Sequence, residues 1–268
     1  TSAYPQGKQV TVTVPAALTD AQGGKLKKPY QFSYTVKSYS SVRLEQLLAD
    51  LGYLPVTFQP AKGSSQPKLS NRLAQMQAAY TPPHGTLVLG KGWPSELTDL
   101  WESDRPMVIE GAIRAFEAQH DMTMDGVAGT AVWTALLQAA VAKKRNTDGY
   151  TYAVASEGSP ETLTIWHDGS EVLHTLANTG VAGAATETGT YPVYEKLASQ
   201  VMKGTNLDGS TYADQVYWVS YFHGGDAVHY FDRASYGYPQ SLGCVELPYD
   251  EAKTSFGYLT YGSLVTVA

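Results

Sequence analysis

The feature that most constrains the fold of this 268-residue chain is a change of hydrophobic period, helical before Ala142 and strand-like after Gly149. Leu44, Leu47, Leu48 and Leu51 fall at i, i+3, i+4 and i+7, which sets four apolar side chains on one helical face, and Gly52 stands where a helix stop belongs. A short helix is expected from Ser95, with Leu97, Leu100 and Trp101 inward. Ala112, Ile113, Ala115 and Phe116 mark another amphipathic helix, Asp125-Gly126-Val127-Ala128-Gly129 a turn, and Val132, Trp133, Leu136, Leu137 and Ala140 a further helix. Between these segments, residues 59 to 71 are rich in Pro, Gly, Ser and Lys and read as an exposed loop, and Pro82-Pro83-His84-Gly85 marks another break. Lys143 to Gly149 is polar and charged, a linker into the second regime.

From there on the pattern is β. Leu163 to Trp166 and Val172 to Leu176 flank Asp168-Gly169, a hairpin signal because a two-residue turn of the favoured hand needs positive φ. Further strands are expected at Tyr191 to Tyr194, Val216 to Phe222, Ala227 to Phe231, Cys244 to Leu247 and Leu264 to Val267. Short strands with turn residues between them predict a β-sandwich over about 150–268. At the other end, residues 9 to 15 and 30 to 36 alternate as two strands. Two strands cannot hide a core, so residues 1–38 read as the tail of a sandwich whose earlier strands lie outside this chain. The expected architecture is α+β and multi-domain, about two domains at roughly 150 residues each.

Charge and cysteine usage exclude several function classes. With 19 Lys and Arg against 25 Asp and Glu, the net charge of -6 offers no basic field for phosphates, so neither nucleic acid nor an anionic membrane surface is an expected partner. No apolar run approaches the roughly 18 residues a membrane helix needs. The chain begins at Thr1 without Met or a basic-then-apolar leader, which points to processing or trimming, and an anchor upstream is compatible with it. Nineteen Tyr against six Phe suit a surface that meets glycans or peptides, and suit any β-sheet equally. The single cysteine, Cys244, forms no internal disulfide and is either a packed core residue or a nucleophile.

Its setting, Ser241-Leu242-Gly243-Cys244-Val245, favours chemistry. Gly243 lets the backbone approach closely and leaves amide N–H groups to face a developing oxyanion. A thiol of ordinary pKa, about 8.5, is little ionised at neutral pH and needs an imidazole beside it. His223 and His229 lie upstream; His229 sits in the strand Ala227 to Phe231 and is fixed in direction, whereas His223 opens a Gly224-Gly225 turn, so His229 is the expected base. His84, His120, His167 and His174 read as solvated or turn residues.

Ala227-Val228-His229, followed by Tyr236-Gly237-Tyr238-Pro239-Gln240-Ser241-Leu242-Gly243-Cys244-Val245-Glu246-Leu247, resembles the active-site block of the YkuD-type L,D-transpeptidases. Thr186 to Val193 is similar to that family's Thr-Pro-x-Gly strand. Leu44 to Leu54, and then Ala112 to His120 through Asp125-Gly126 and Trp133 to Leu136, look like two halves of a three-helix peptidoglycan-binding domain, residues 39–142 with an insertion at about 59–105. Residues 9 to 36 resemble, more weakly, the end of a bacterial Ig-like domain.

The resemblance implies a YkuD-like β-sandwich at 150–268 and an extracytoplasmic, monomeric enzyme of the bacterial cell wall that needs no metal and no cofactor. Its partners would be peptidoglycan stem peptides and glycan. Cys244 would attack the third residue of a tetrapeptide stem, release D-alanine and pass the acyl group to an amine, giving a 3→3 cross-link; water as acceptor would make it an L,D-carboxypeptidase. His229 would move the proton, held by the carbonyl of Tyr230, and amides near Gly243 and Cys244 would form the oxyanion hole. Ser241 is expected at the substrate, and the resemblance makes Trp218, Tyr221 and Met202 candidates to line the stem-peptide groove beneath a flap spanning about 195 to 215, with Trp218 as a plain core strand residue an equal reading. Two positions depart from the family pattern: Leu242 replaces the usual His before Gly-Cys, and Glu246 stands where Arg or Asn is common. Arg233 is expected to supply the missing positive charge to a substrate carboxylate. The rival readings are a catalytically weakened wall-binding protein and a zinc hydrolase built on His223, Asp226 and His229, whose ligands would crowd one short strand and loop.

Overall fold

The computed structural model of the chain describes residues 7–268; the first six residues of the expected 1–38 segment lie outside the described residues. β1 (Gln9–Val14) and β2 (Tyr30–Thr35) pair antiparallel as an isolated two-stranded ribbon. Their alternation is clean. Val10, Val12 and Val14 lie opposite Tyr34, Phe32 and Tyr30, and all three aromatic rings remain exposed.

The helical segment begins with α1 (Ser41–Asp50), which buries Leu44, Leu47 and Leu48, and Gly52 follows with φ of 82°, the left-handed conformation that ends a helix. α4 (Arg105–Gln119) and α5 (Thr130–Ala142) pack on it through Val108, Ile113, Phe116, Val132, Trp133 and Leu136. The stretch read from sequence as an insertion is itself ordered. It supplies the ribbon β3 (Val56–Pro60) and β4 (Gly85–Leu89), α2 (Arg72–Tyr80) and α3 (Ser95–Ser103). Asn71 caps α2 by accepting the Ala74 N–H at 3.1 Å. Arg43, fully buried, donates to Gln46 Oε1 at 3.0 Å and to Gln75 Oε1 at 2.6 Å, which ties α1 to α2. None of the helices among the described residues is long and apolar enough to cross a membrane.

Beyond residue 150 the chain forms two sheets. One is ordered β7-β6-β5-β13-β8 and comprises β5 (Thr151–Ser156), β6 (Thr162–His167), β7 (Ser170–Leu176), β8 (Gly189–Pro192) and β13 (Leu264–Val267). Asp168 and Gly169 join β6 to β7 with φ of 48° and 77°, the conformation the Asp-Gly pair predicts. The other is ordered β12-β11-β10-β9, from β9 (Glu195–Thr205), β10 (Thr211–His223), β11 (Asp226–Tyr230) and β12 (Val245–Leu247). β9 and β10 form a long hairpin where sequence suggested a flap. Between the sheets lie Ala153, Ala155, Leu163, Ile165, Phe222, Val228, Val245, Leu247, Val265 and Val267, joined by Ala252 of α6 (Tyr249–Tyr258).

The first sheet is covered on both faces. Ala153 and Ala155 face the second sheet, while Tyr152, Val154 and Leu264 enter the same core as the helices. Contact with α4 is close enough to involve backbone: a Cβ on Gly111 would lie 2.7 Å from the Gly262 carbonyl oxygen, and one on Gly262 would lie 2.2 Å from that of Gly111. The helical segment is therefore seated on the β-domain through a continuous apolar core.

Candidate active site

Strand alternation builds the site. In β11, Val228 and Tyr230 turn into the inter-sheet core, so Ala227, His229 and Phe231 face the other way. β12 lies parallel to it with Val228 opposite Val245 and His229 opposite Glu246. Carrying that register back one residue sets Cys244 against Ala227, on the face that His229 occupies. The two residues line one cleft of about 240 Å³, together with Met202, Asn206, Tyr212, Asp214, Val216, Phe231, Arg233, Gln240, Ser241, Leu242 and Glu246.

The imidazole is buried, and its Nδ1 lies 2.9 Å from the carbonyl oxygen of Tyr230. A carbonyl only accepts, so Nδ1 carries the hydrogen and Nε2 is left with its lone pair. Burial lowers the pKa of His229, against the opposing pull of the Tyr230 carbonyl and Glu246. Burial pushes the half-buried Cys244 thiol up to about 12; a backbone hydrogen bond from Ala227 opposes this, and Asp226 and Glu246 add to it. The Sγ–H is directed to the Gly225 carbonyl at 3.8 Å. Thiol and imidazole are both neutral at pH 7, so the two do not rest as a thiolate–imidazolium pair.

The turn before the thiol is held from inside. Ser241 Oγ donates to the Cys244 carbonyl at 2.5 Å and accepts the Gly243 N–H at 3.2 Å. Gly243 has φ of 115°, and a Cβ there would lie 2.5 Å from Asp226 Oδ1, so only glycine fits. The backbone N–H groups of Gln240 and Ser241 donate to the Thr179 carbonyl at 2.9 and 3.0 Å. Thr179 is gripped in turn by the buried carboxylate of Glu161, which accepts its N–H at 2.6 Å and its hydroxyl at 2.8 Å. Sequence reading missed this brace, since Glu161 and Thr179 are 18 residues apart and neither stands in a recognisable motif.

The other expected site residues divide. Met202 lines the cleft, directly opposite Asp214 in the β9–β10 register. Tyr221 packs with Cys244, Val219 and Phe231 at the side of the cleft and hydrogen-bonds Gln200. Tyr230 contributes its carbonyl, while its ring packs edge-on to Tyr249 at 5.1 Å. Trp218 does not reach the groove. Asp214 and Val216 face the cleft, so simple alternation would bring Trp218 there as well. The β10–β11 register shifts between Tyr217 and Ser220, and Trp218 takes φ of 60°, which turns its ring onto Tyr249 and Phe256 of α6.

The two departures noted from sequence have different fates. Leu242 is exposed at the cleft. Glu246, nearly buried, is paired with Arg233: Nε donates to Oε2 at 2.7 Å and Nη2 to Oε1 at 2.8 Å, with Nη2 also bonded to the Gln240 carbonyl at 3.1 Å. The guanidinium lies over the Phe231 ring, 4.6 Å from its centroid. Arg233 thus stands in the cleft as half of a bidentate ion pair and not as an isolated cation. Among the described residues no group of three His, Cys, Asp or Glu side chains is placed to hold a metal, and His223, Asp226 and His229 do not form such a set.

No curated protein matches the chain. Three solved structures that it resembles are an L,D-transpeptidase from Mycobacterium smegmatis (25% identity, 44% of this chain and 58% of that one, TM-score 0.41), L,D-transpeptidase 3 from Mycobacterium tuberculosis (24%, 45% and 62%, 0.41) and the catalytic domain of the E. faecium L,D-transpeptidase (27%, 44% and 96%, 0.40). This chain therefore spans less than two thirds of the length of the two mycobacterial structures. Residues 151–267, which carry both Cys244 and His229, match the family model of YkuD, the L,D-transpeptidase catalytic domain.

Proposed function

We propose that the protein is a cysteine-dependent L,D-transpeptidase that forms 3→3 cross-links between peptidoglycan stems outside the cytoplasm. The observation that carries this reading is the pairing, on one cleft wall, of the single thiol with an imidazole whose Nδ1 is fixed on the Tyr230 carbonyl. In the first half-reaction Sγ attacks the carbonyl carbon of the third stem residue while Nε2 of His229 takes the thiol proton. Backbone amides at Gly243 and Cys244 hold the oxyanion, and Ser241 keeps their turn in shape. The bond to the terminal D-alanine then breaks as His229 returns its proton to the leaving amine, which leaves a thioester on Cys244. In the second half-reaction an amine of a neighbouring stem gives a proton to His229 and attacks the thioester carbon. The Cys244 thiolate departs and recovers that proton.

Because thiol and imidazole are neutral together at rest, the reading needs no preformed ion pair, only a substrate that excludes water from the cleft as the proton moves. Met202, Tyr212 and Tyr221 would form walls for the stem peptide. The helical segment at 39–142, seated on the catalytic domain, would present the glycan of the same polymer. Incubating a disaccharide-tetrapeptide with the wild-type chain and with Cys244→Ala, followed by mass spectrometry, tests the proposal. Loss of D-alanine with formation of a dimer in the wild type alone is expected. D-alanine loss without dimer would replace cross-linking by carboxypeptidase action, and identical behaviour of the two proteins would overturn the enzyme reading in favour of a wall-binding protein.

A further inference from the structure

The turn that carries the thiol lies against a strip of chain, residues 177–181, which holds it on both flanks. This strip follows β7, and the β6–β7 register, with Thr162 opposite Leu176, brings it back to Glu161, whose carbonyl accepts the Ala177 N–H at 3.0 Å. Ahead of Cys244, the Thr179 carbonyl accepts the N–H groups of Gln240 and Ser241, and the Val181 N–H donates to the Ser241 carbonyl at 2.9 Å. Beyond Cys244, Asn178 and Glu246 exchange both backbone bonds, at 3.0 and 2.9 Å. The entry to the loop is tied to the same place: Gly237 donates to the Ala177 carbonyl at 3.0 Å and accepts the Glu161 N–H at 2.9 Å. Thr179 is the centre of the strip, and both its N–H and its hydroxyl go to the Glu161 carboxylate.

That carboxylate is only 2% exposed, and among the described residues no Lys, Arg or His lies within ion-pair distance of it. A buried carboxylate without a cation is costly, and for packing alone an apolar side chain of similar volume would serve folding as well or better. Resting on the function proposed above, we propose that Glu161 is a positioning residue of the catalytic centre, which acts through Thr179 on the Gln240 and Ser241 backbone and through the Ser241 hydroxyl on Cys244. Every link in that chain is a hydrogen bond of 2.5 to 3.0 Å. Neither Glu161 nor Thr179 lines the cleft, so the brace sets where the thiol stands relative to His229 without touching a ligand there. A thiol displaced by about 1 Å from its working position loses on the order of 100-fold in rate.

Three variants test this. Glu161→Gln keeps both contacts, because the carboxamide oxygen accepts the Thr179 N–H and the nitrogen donates to the Thr179 hydroxyl oxygen. Glu161→Ala keeps neither, and Thr179→Val keeps only the bond to the N–H. Each is assayed where circular dichroism shows it folded, with a disaccharide-tetrapeptide and with p-nitrophenyl acetate, and Cys244→Ala serves as the blank. The ester needs no stem-peptide subsite: its acetyl group passes to the sulfur, the thiol proton goes to His229 and p-nitrophenolate leaves. The expected result is a kcat about 10- to 100-fold lower in Glu161→Ala with KM unchanged, an equal fall in the acetylation rate, a smaller fall in Thr179→Val, and rates near those of the wild type in Glu161→Gln. A lower melting temperature with both rates unchanged in Glu161→Ala would make Glu161 a scaffold residue and overturn the inference while leaving the transpeptidase reading intact. If Glu161→Ala does not fold, unchanged rates in Thr179→Val would overturn it equally, as would a Glu161→Gln as slow as Glu161→Ala. Acetylation that depends on Glu161, in a chain that turns over no tetrapeptide, would overturn the transpeptidase reading and uphold the positioning role.

Discussion

The resting ionisation of Cys244 follows from its surroundings and is open to direct measurement. Burial is the largest influence on the thiol, Asp226 and Glu246 add negative potential, and one backbone hydrogen bond from Ala227 is too little to reverse them, so the thiol is pushed up to about 12. Burial also lowers His229, which keeps the imidazole neutral and denies the thiolate a cationic partner. An unperturbed thiol near 8.5 is about one quarter ionised at pH 8, whereas one near 12 is ionised in about one molecule in ten thousand. The chain has one cysteine, so alkylation by iodoacetamide, followed by intact mass, reports this thiol alone. The folded protein should react slowly, with a rate that climbs about ten-fold per pH unit from 7 to 10 and shows no plateau there. In urea the same thiol should react far faster at pH 8 and level off above about 9. The sign is fixed by the direction of the shift: a pKa raised on folding stabilises the protonated thiol, and the native state loses that contribution as pH climbs from the unfolded value toward about 12. His229→Ala should leave the alkylation slope unchanged while lowering turnover by about 10² to 10⁴. An inflection in the native alkylation profile near pH 6, lost in His229→Ala, would show a stored thiolate–imidazolium pair and refute the reasoning.

Other consequences concern the scaffold around the thiol. Ser241→Ala leaves the Cys244 carbonyl without its hydroxyl donor and the Gly243 N–H without its acceptor, so it should cost about 1–3 kcal/mol by thermal unfolding and lower kcat more than it raises KM; an unchanged kcat would mean the turn keeps its shape without the hydroxyl. Gly243→Ala places a Cβ 2.5 Å from Asp226 Oδ1 at φ of 115°, and steady-state kinetics should show a loss of at least about 100-fold with the fold retained by circular dichroism. Gly262→Ala drives a Cβ to 2.2 Å from the Gly111 carbonyl oxygen, and should destabilise the protein by about 1–3 kcal/mol and expose residues 143–149 to limited proteolysis; a proteolytic pattern like that of the wild type would argue that the helices and the sheet are not held together at this contact.

The parts of the fold that were legible in the sequence are those with one face in water. α1 carries its apolar stripe at helical spacing, β6 and β7 are joined by an Asp-Gly turn, and β11 alternates between core and cleft. β5 escaped because the sheet is covered on both sides there, so Tyr152 and Val154 are as buried as Ala153 and Ala155 and no period-2 pattern survives. α6 escaped for the opposite reason: only Ala252 and Ser255 are buried, and the rest of the helix shows no apolar stripe. Cys244 and His229 were legible as a candidate pair because each lies in a short local block whose alternation puts it on the cleft face. Of the two readings open for Trp218 the core one holds, and spacing did not decide between them because a bulge is a property of strand pairing. Glu246 and Arg233 read from sequence as a lost cation and its substitute; thirteen residues apart and joined through a loop, they are one ion pair.

The central claim is that Cys244 forms the acyl-enzyme with His229 as its proton carrier. Intact mass spectrometry of the protein, quenched in acid within seconds of mixing with a disaccharide-tetrapeptide whose side-chain amine is acetylated so that no acceptor is present, tests it most directly. The account predicts a covalent adduct equal to the donor less D-alanine, mapped to Cys244 by peptide mass, absent in Cys244→Ala and strongly reduced in His229→Ala. D-alanine release with an adduct at another residue, or with undiminished rate in Cys244→Ala, would contradict it.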